Sequence, residues 1–238
     1  MFLHGWGGGA VSFLPVAQRM KDCDCLLFDF KGFGESPEDG VRSLEDYAED
    51  VLSLMDEIGI KEAVLIGHSF GCRIGAYIAA NYPERVLGFV ITDGAGLKPR
   101  RGLKYYLKVY LHKFKRKLGF DLSKDGSADY RALSPVMKKT FVNVVNRYTE
   151  NECARIKCPT LICWGKKDKD TPLYMAKRFL KLIKDSALIL FEGGHFCYID
   201  ELARYTTITK KFISEVAYGV GRGGAERRSD DGCRSQNS

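Results

Sequence analysis

Ser69 stands in the stretch IGHSFG, where Gly67, His68, Ser69, Phe70 and Gly71 spell G-x-S-x-G. An apolar run, AVLIG (63–67), leads into it, and a helix-forming run, CRIGAYIAA (72–80), leads out. Between strand and helix the serine occupies a sharp turn that lifts its hydroxyl above the sheet, and side chains in place of the glycines would collide with that turn. Such a hydroxyl becomes a nucleophile only when a base takes its proton, and the base needs a third group to hold its tautomer. The chain has four histidines. His4 and His68 lie in Gly-rich turns, His112 lies in a basic insert, and His195 follows an apolar run in FEGGHFCYID, which makes it the candidate base. For the acid, WGKKDKDTP sets Asp168 and Asp170 on the loop after a strand, where the carboxyl ends of strands gather site residues. Either reaches His195, and Asp93, following an earlier strand, is a third candidate. Cys72 and Cys197 lie close by in sequence but are expected to pack as buried thiols.

These groups need a scaffold that presents strand ends side by side. Short apolar runs alternate with helical patterns, the signature of βαβ units and a mostly parallel sheet flanked by helices. Candidate strands are CLLFDF (25–30), AVLIG (63–67), VLGFVITDG (86–94), PTLICWG (159–165) and ALILFEGG (187–194). Their continuous Val, Ile, Leu and Phe content suits strands covered on both faces. Leu44, Tyr47, Ala48, Val51, Leu52, Met55 and Ile58 recur at helical spacing, with Ser43 and Asp46 placed for a capping box and Gly59 as the stop. Further helices are expected near 11–20, 70–81, 173–184 and 198–217. From Tyr218 to Ser238 the chain is Gly, Arg, Ser and Asp with few apolar side chains, and a disordered tail is expected there.

The chain has 238 residues and is 45 % hydrophobic, enough for one large domain with a sizeable core. A disordered or fibrous protein is excluded. No stretch approaches the roughly eighteen uninterrupted apolar residues of a spanning helix, so a soluble protein is expected. The eight cysteines show no framework spacing and are read as reduced thiols in a cytoplasm. Cys23 and Cys25 form C-x-C without a second Cys or His pair, so no metal site is expected. The net charge of +7 is uneven: Leu97 to Glu152 holds fourteen Lys/Arg against five Asp/Glu. That surplus reads as a solvated helical face, with neither nucleic-acid binding nor stable membrane association expected.

Together these stretches resemble the α/β-hydrolase family, whose chain order is nucleophile, acid, histidine, here Ser69, Asp168 and His195. The W-G-x-x-D pattern common in the family favours Asp168 over Asp170. DFKGFGES matches the family's D-x-x-G-x-G-x-S loop, with Asp29, Gly32, Gly34 and Ser36 shaping the turn and Phe33 in the pocket wall. The opening HGWGGG is similar to the family's oxyanion loop, which implies Trp6 and Phe70 as the two backbone N–H donors. The implied chemistry is attack by Ser69 on an acyl carbonyl, without metal or organic cofactor. The expected substrate is a small or medium carboxylic ester; carbon–carbon, lactone, thioester and amide hydrolysis, a ligand-binding relative and an acyltransferase are the alternatives.

The resemblance assigns residues 1–96 and 153–217 to the core and 97–152 to a helical cap. Within the cap, Leu103, Tyr106, Leu107, Tyr110, Leu111 and Phe114 form an apolar stripe, expected to pack over the site with Tyr106 and Tyr110 against substrate. The family places an edge hairpin and a full strand before His-Gly, whereas only Met1, Phe2 and Leu3 precede His4. The expectation is a truncated N-terminus with missing strands, and CLLFDF left as an open sheet edge.

Overall fold

The computed structural model describes residues 1–100 and 128–229, with side chains for 1–100 and 130–217. Tyr106, Tyr110 and the rest of the expected stripe lie outside the described residues. Five parallel strands form one sheet in the order β1 (Phe2–Leu3), β2 (Ala63–His68), β3 (Val86–Thr92), β4 (Thr160–Gly165) and β5 (Ser186–Phe191). Apolar side chains alternate between its two faces: Phe89, Ile91, Ile162 and Trp164 join one buried cluster, and Val90, Leu161 and Cys163 join the other. Both faces are therefore core, which is why these strands read as unbroken apolar runs.

Helix α1 (Leu14–Ala17) continues a single 3₁₀ turn at Ala10–Phe13. Helix α2 (Leu44–Glu57) starts at the expected capping box: the Ser43 N–H donates to Asp46 Oδ2 at 2.7 Å, and the Asp46 N–H donates to Ser43 Oγ at 3.1 Å. Its buried stripe is the one read from spacing from Leu44 through Met55, while Ile58, at the C-cap where the helix ends, is exposed. Helix α3 (Phe70–Asn81) packs beside α2 and runs back over the sheet. Helices α4 (Ala128–Ala132), α5 (Pro135–Asn146) and α6 (Glu150–Cys153) follow, then α7 (Tyr174–Leu182), α8 (Cys197–Asp200) and α9 (Leu202–Ser229). No helix among the described residues is long and apolar enough to cross a membrane.

Two segments differ from expectation. The run 25–30 makes one isolated bridge, Phe2 to Leu27, in place of a strand. Its neighbour β1 has only two residues, so beyond that bridge and the Phe2 N–H donating to the Leu26 carbonyl at 2.9 Å the ladder has nothing along which to extend. At the other end, the backbone of α9 continues through Ser229, past the expected tail boundary at Tyr218. Each added residue of a formed helix closes one more backbone bond, so weak formers can ride on a packed helix.

Helix α3 approaches β1 closely. A Cβ at Gly71 would lie 2.0 Å from the Leu3 carbonyl oxygen, which is backbone and cannot step aside. Gly71→Ala is expected to cost about 3 kcal/mol or more, an overpacking penalty at the upper end of the usual range. In a domain of this size that lowers the melting temperature by about 6–12 °C, measurable by thermal denaturation.

Candidate active site

Strand β2 ends at His68, and Ser69 turns the chain into α3 with φ 48° and ψ −108°. A left-handed φ is costly for a residue with a Cβ and persists only where the surroundings over-determine it. Here they do: the Ser69 N–H donates to the Thr92 carbonyl at 3.1 Å, and its own carbonyl accepts from Cys72 and Ala95 at 3.1 and 3.0 Å. The elbow is thus bolted to the end of β3. On its β2 side, a Cβ at Gly67 would sit 2.9 Å from Cys72 backbone atoms, so this turn tolerates only glycine.

Asp168 and His195 meet in the acid and histidine loops that follow β4 and β5. His195 Nδ1 lies 2.9 Å from Asp168 Oδ2, and the Asp168 side chain is fully buried. Its Oδ1 accepts from the N–H groups of Asp170 and Thr171 at 2.8 and 2.9 Å, while Oδ2 also faces the Thr171 hydroxyl at 2.6 Å. Burial alone would raise the Asp168 pKa, but the His195 and Thr171 bonds outweigh it and hold the carboxyl below its ordinary value. Burial would lower the His195 pKa, and the Asp168 bond and charge reverse that, leaving the imidazole above its ordinary value. Asp170 supplies a backbone donor to Asp168, so the structure pairs His195 with Asp168 and leaves Asp170 at the rim.

His195 uses Nδ1 toward Asp168 and its carbonyl oxygen toward His68. His68, read from sequence only as part of a turn, donates from Nε2 to the His195 carbonyl at 2.7 Å. Burial, with His195 nearby, pushes its pKa down to about 3, so it is a neutral fastener between the elbow and the histidine loop.

Phe70 is the first residue of α3, where a helix leaves its N–H groups without intrahelical acceptors. Trp6 sits in the turn closed by Gly8 N–H to the Gly5 carbonyl at 3.0 Å. The Trp6 and Phe70 rings meet at 5.5 Å, so the two expected donor segments are neighbours. Asp29 braces this loop, accepting from Ala10 N–H at 2.6 Å and from Glu35 N–H at 3.0 Å. Phe33 is buried among Trp6, Phe70, Tyr47 and His4, forming the floor under Trp6. Phe141 of α5 covers Trp6 from the other side at 5.0 Å; no sequence pattern pointed to it, because only the fold brings α5 there.

Other nucleophiles and ligands are poorly placed. Burial raises the Cys72 and Cys197 thiols far above neutrality, so neither is a thiolate. Asp168, Asp170 and His195 each bring one ligand atom within 4.8 Å of the others. Yet both oxygens of Asp168 are already occupied by two partners each, so the group is built as a hydrogen-bond network and not as a cation cage.

A family model described as alpha/beta hydrolase fold matches residues 1–127. The chain belongs to this family. It is 26 % identical to a 2-hydroxymuconate semialdehyde hydrolase of Pseudomonas putida, over 90 % of this chain and 86 % of that protein. Among solved structures, the enol-lactonase from Burkholderia xenovorans LB400 superposes with a TM-score of 0.69 at 19 % identity, covering 90 % of each chain. A thermophilic esterase from Thermogutta terrifontis gives 0.69 at 19 % identity, covering 90 % of this chain and 89 % of that one. At such identities the structural likeness establishes the fold.

If His195 must be neutral to accept a proton, activity falls as pH drops through its raised pKa. The acid limb of kcat/KM is expected to lie above the ordinary imidazole value of 6.5. Asp168→Asn removes the bond and charge that raise it, so the limb moves down in pH while kcat falls by about 10²- to 10⁴-fold. A pH–rate series on both proteins measures this.

Proposed function

We propose that the protein is a serine hydrolase that cleaves a small or medium carboxylic ester through an acyl-enzyme on Ser69. The observation that carries the reading is the 2.9 Å pairing of His195 Nδ1 with a fully buried Asp168, beside a serine held at φ 48° at the start of a helix. Asp168 keeps the imidazole proton on Nδ1, so Nε2 is the basic atom. As Ser69 Oγ attacks the substrate carbonyl, its proton passes to Nε2, and the developing oxyanion meets the backbone N–H groups of Trp6 and Phe70. Such preorganised donors typically contribute about 3–4 kcal/mol each to transition-state stabilisation. Collapse breaks the carbon–oxygen bond, His195 returns the proton to the departing alcohol, and a water deprotonated by His195 then releases the acid. Trp6, Phe33, Phe70 and Phe141 supply an aromatic surround suited to an apolar acyl portion, and the insert acts as the cap.

A second reading is hydrolysis of a carbon–carbon bond beside a carbonyl, or of a lactone. Its support is the relative named as a 2-hydroxymuconate semialdehyde hydrolase, aligned over 90 % of this chain. The same serine, base and oxyanion donors serve both, and the leaving group differs: carbon must receive the proton in place of oxygen.

The test begins with a fluorophosphonate probe and mass-spectrometric site mapping. Label is expected on Ser69, and Ser69→Ala or His195→Ala should lose about 10³-fold or more of kcat while remaining folded. Absence of label in folded protein, with no turnover of activated esters, would sink the hydrolase reading. Faster turnover of a 2-hydroxymuconate semialdehyde than of any ester in a graded chain-length panel selects the second reading.

A further inference from the structure

We propose that Asp93 is a positioning residue that fixes the acid loop and the histidine loop against the serine elbow. The inference rests on the reading of Ser69, Asp168 and His195 as the reacting groups. From sequence Asp93 was an alternative acid; the structure turns both of its carboxylate oxygens to backbone and pairs His195 with Asp168.

Asp93 is fully buried, directly after β3, and its backbone is held at φ 45°. Oδ1 accepts from the Gly165 N–H at 2.8 Å, at the root of the acid loop. Oδ2 accepts from the Cys197 N–H at 3.1 Å, two residues beyond His195. Its own N–H donates to the Cys163 carbonyl at 3.0 Å, and its carbonyl lies 3.0 Å from the Thr171 hydroxyl. That hydroxyl has one proton and sits closer to Asp168 Oδ2, at 2.6 Å, so Asp93 and Asp168 share a single donor. The preceding residue, Thr92, is the one whose carbonyl holds Ser69. Residues 92 and 93 therefore hold the segments that carry all three reacting groups.

The site needs a carboxylate at this position. Two N–H donors arrive from different loops, and each requires an acceptor. A carboxylate has two equivalent oxygens; an amide of the same shape has one, and its NH₂ would face a donor. The left-handed backbone is the local cost of aiming both oxygens at once, and a strained, buried residue that touches only the site's supports is a device for geometry.

The test is Asp93→Asn, assayed on an activated ester with rates taken per Ser69 titrated by fluorophosphonate, so that unfolded protein does not count. The expected result is a kcat lower by about tenfold or more with KM changed by less than about threefold, because binding is untouched while the base is misaligned. The acid limb should also move down in pH, since His195, still facing Asp168, Asp170 and His68, loses the nearby Asp93 charge. A variant that only melts earlier, with kcat per titrated serine and pH profile unchanged, overturns the proposal. If Asp93→Asn does not fold, Asp93→Ser, smaller and keeping one acceptor, is read the same way: a fall in kcat per titrated serine with KM held supports the proposal, and wild-type kcat with a wild-type pH profile overturns it. Failure of the underlying reading is distinguishable, because the wild-type protein itself would then neither label nor turn over ester.

Discussion

Where a parallel sheet stops, its last N–H and C=O groups lose their ladder partners while still buried, and each must find another or cost free energy. This constraint organises the whole upper edge of the molecule. At the end of β2 the Ser69 N–H goes to the Thr92 carbonyl, and at the end of β4 the Gly165 N–H goes to Asp93. The loop after β5 is satisfied by His68 at the His195 carbonyl and by Asp93 at the Cys197 N–H. The groups that seal the sheet are the same groups that hold the segments carrying Ser69, Asp168 and His195. Positioning is thus a by-product of satisfying buried backbone, and a substitution that spoils one spoils the other.

The two buried carboxylates of this edge are pushed in opposite directions. Asp168 accepts four donors, including an imidazole able to become cationic, and its pKa is lowered despite burial. Asp93 receives two neutral backbone N–H groups and the Cys197 thiol, which do not offset burial, and its pKa is held up at about 6. Environments that separate two like groups assign them different work. Asp168 is held ionised beside the His195 imidazole, whereas Asp93 bridges backbone groups of the two loops. The loops they serve touch closely: a Cβ at Gly165 would meet the Gly194 carbonyl at 2.0 Å, so neither loop can shift without the other.

What the sequence made legible was local. The G-x-S-x-G elbow, the Ser43–Asp46 capping box and four of the five expected apolar strands each carry their cause within a dozen residues and formed as read. Asp168 and His195 were found because catalysis restricts residue types, and four histidines leave little choice. Asp93, His68 and Phe141 were opaque for a physical reason: the partners that tie them to the site lie 70 to 135 positions away, so no local pattern announces those contacts. Thr171 lies between these cases, since Asp-x-x-Thr is a spacing at which a carboxylate can accept from the threonine N–H and hydroxyl, as it does. The run 25–30 shows the converse, because apolar content licenses a strand only where a neighbour offers a ladder.

The same economy explains how the core tolerates an insert between β3 and β4. Its two ends meet: the Thr149 N–H donates to the Gly96 carbonyl at 2.8 Å, and Glu150 accepts from the Lys98 N–H at 2.6 Å. Ends already held together leave little loop-closure entropy to be charged against folding. Arg73, one turn into the elbow helix, then donates to the carbonyls of Val144 and Arg147 at 3.1 and 2.6 Å, closing off the end of α5. Burial lowers its pKa to about 10, still well above neutrality, so it remains a charged donor to helix-end carbonyls, where positive charge is favoured. Since α5 also carries Phe141 onto Trp6, the helix that begins at Phe70 fixes the helix that covers Trp6. A displacement of α5 would therefore be felt at both the anchor and the aromatic wall, making that segment part of the site's frame.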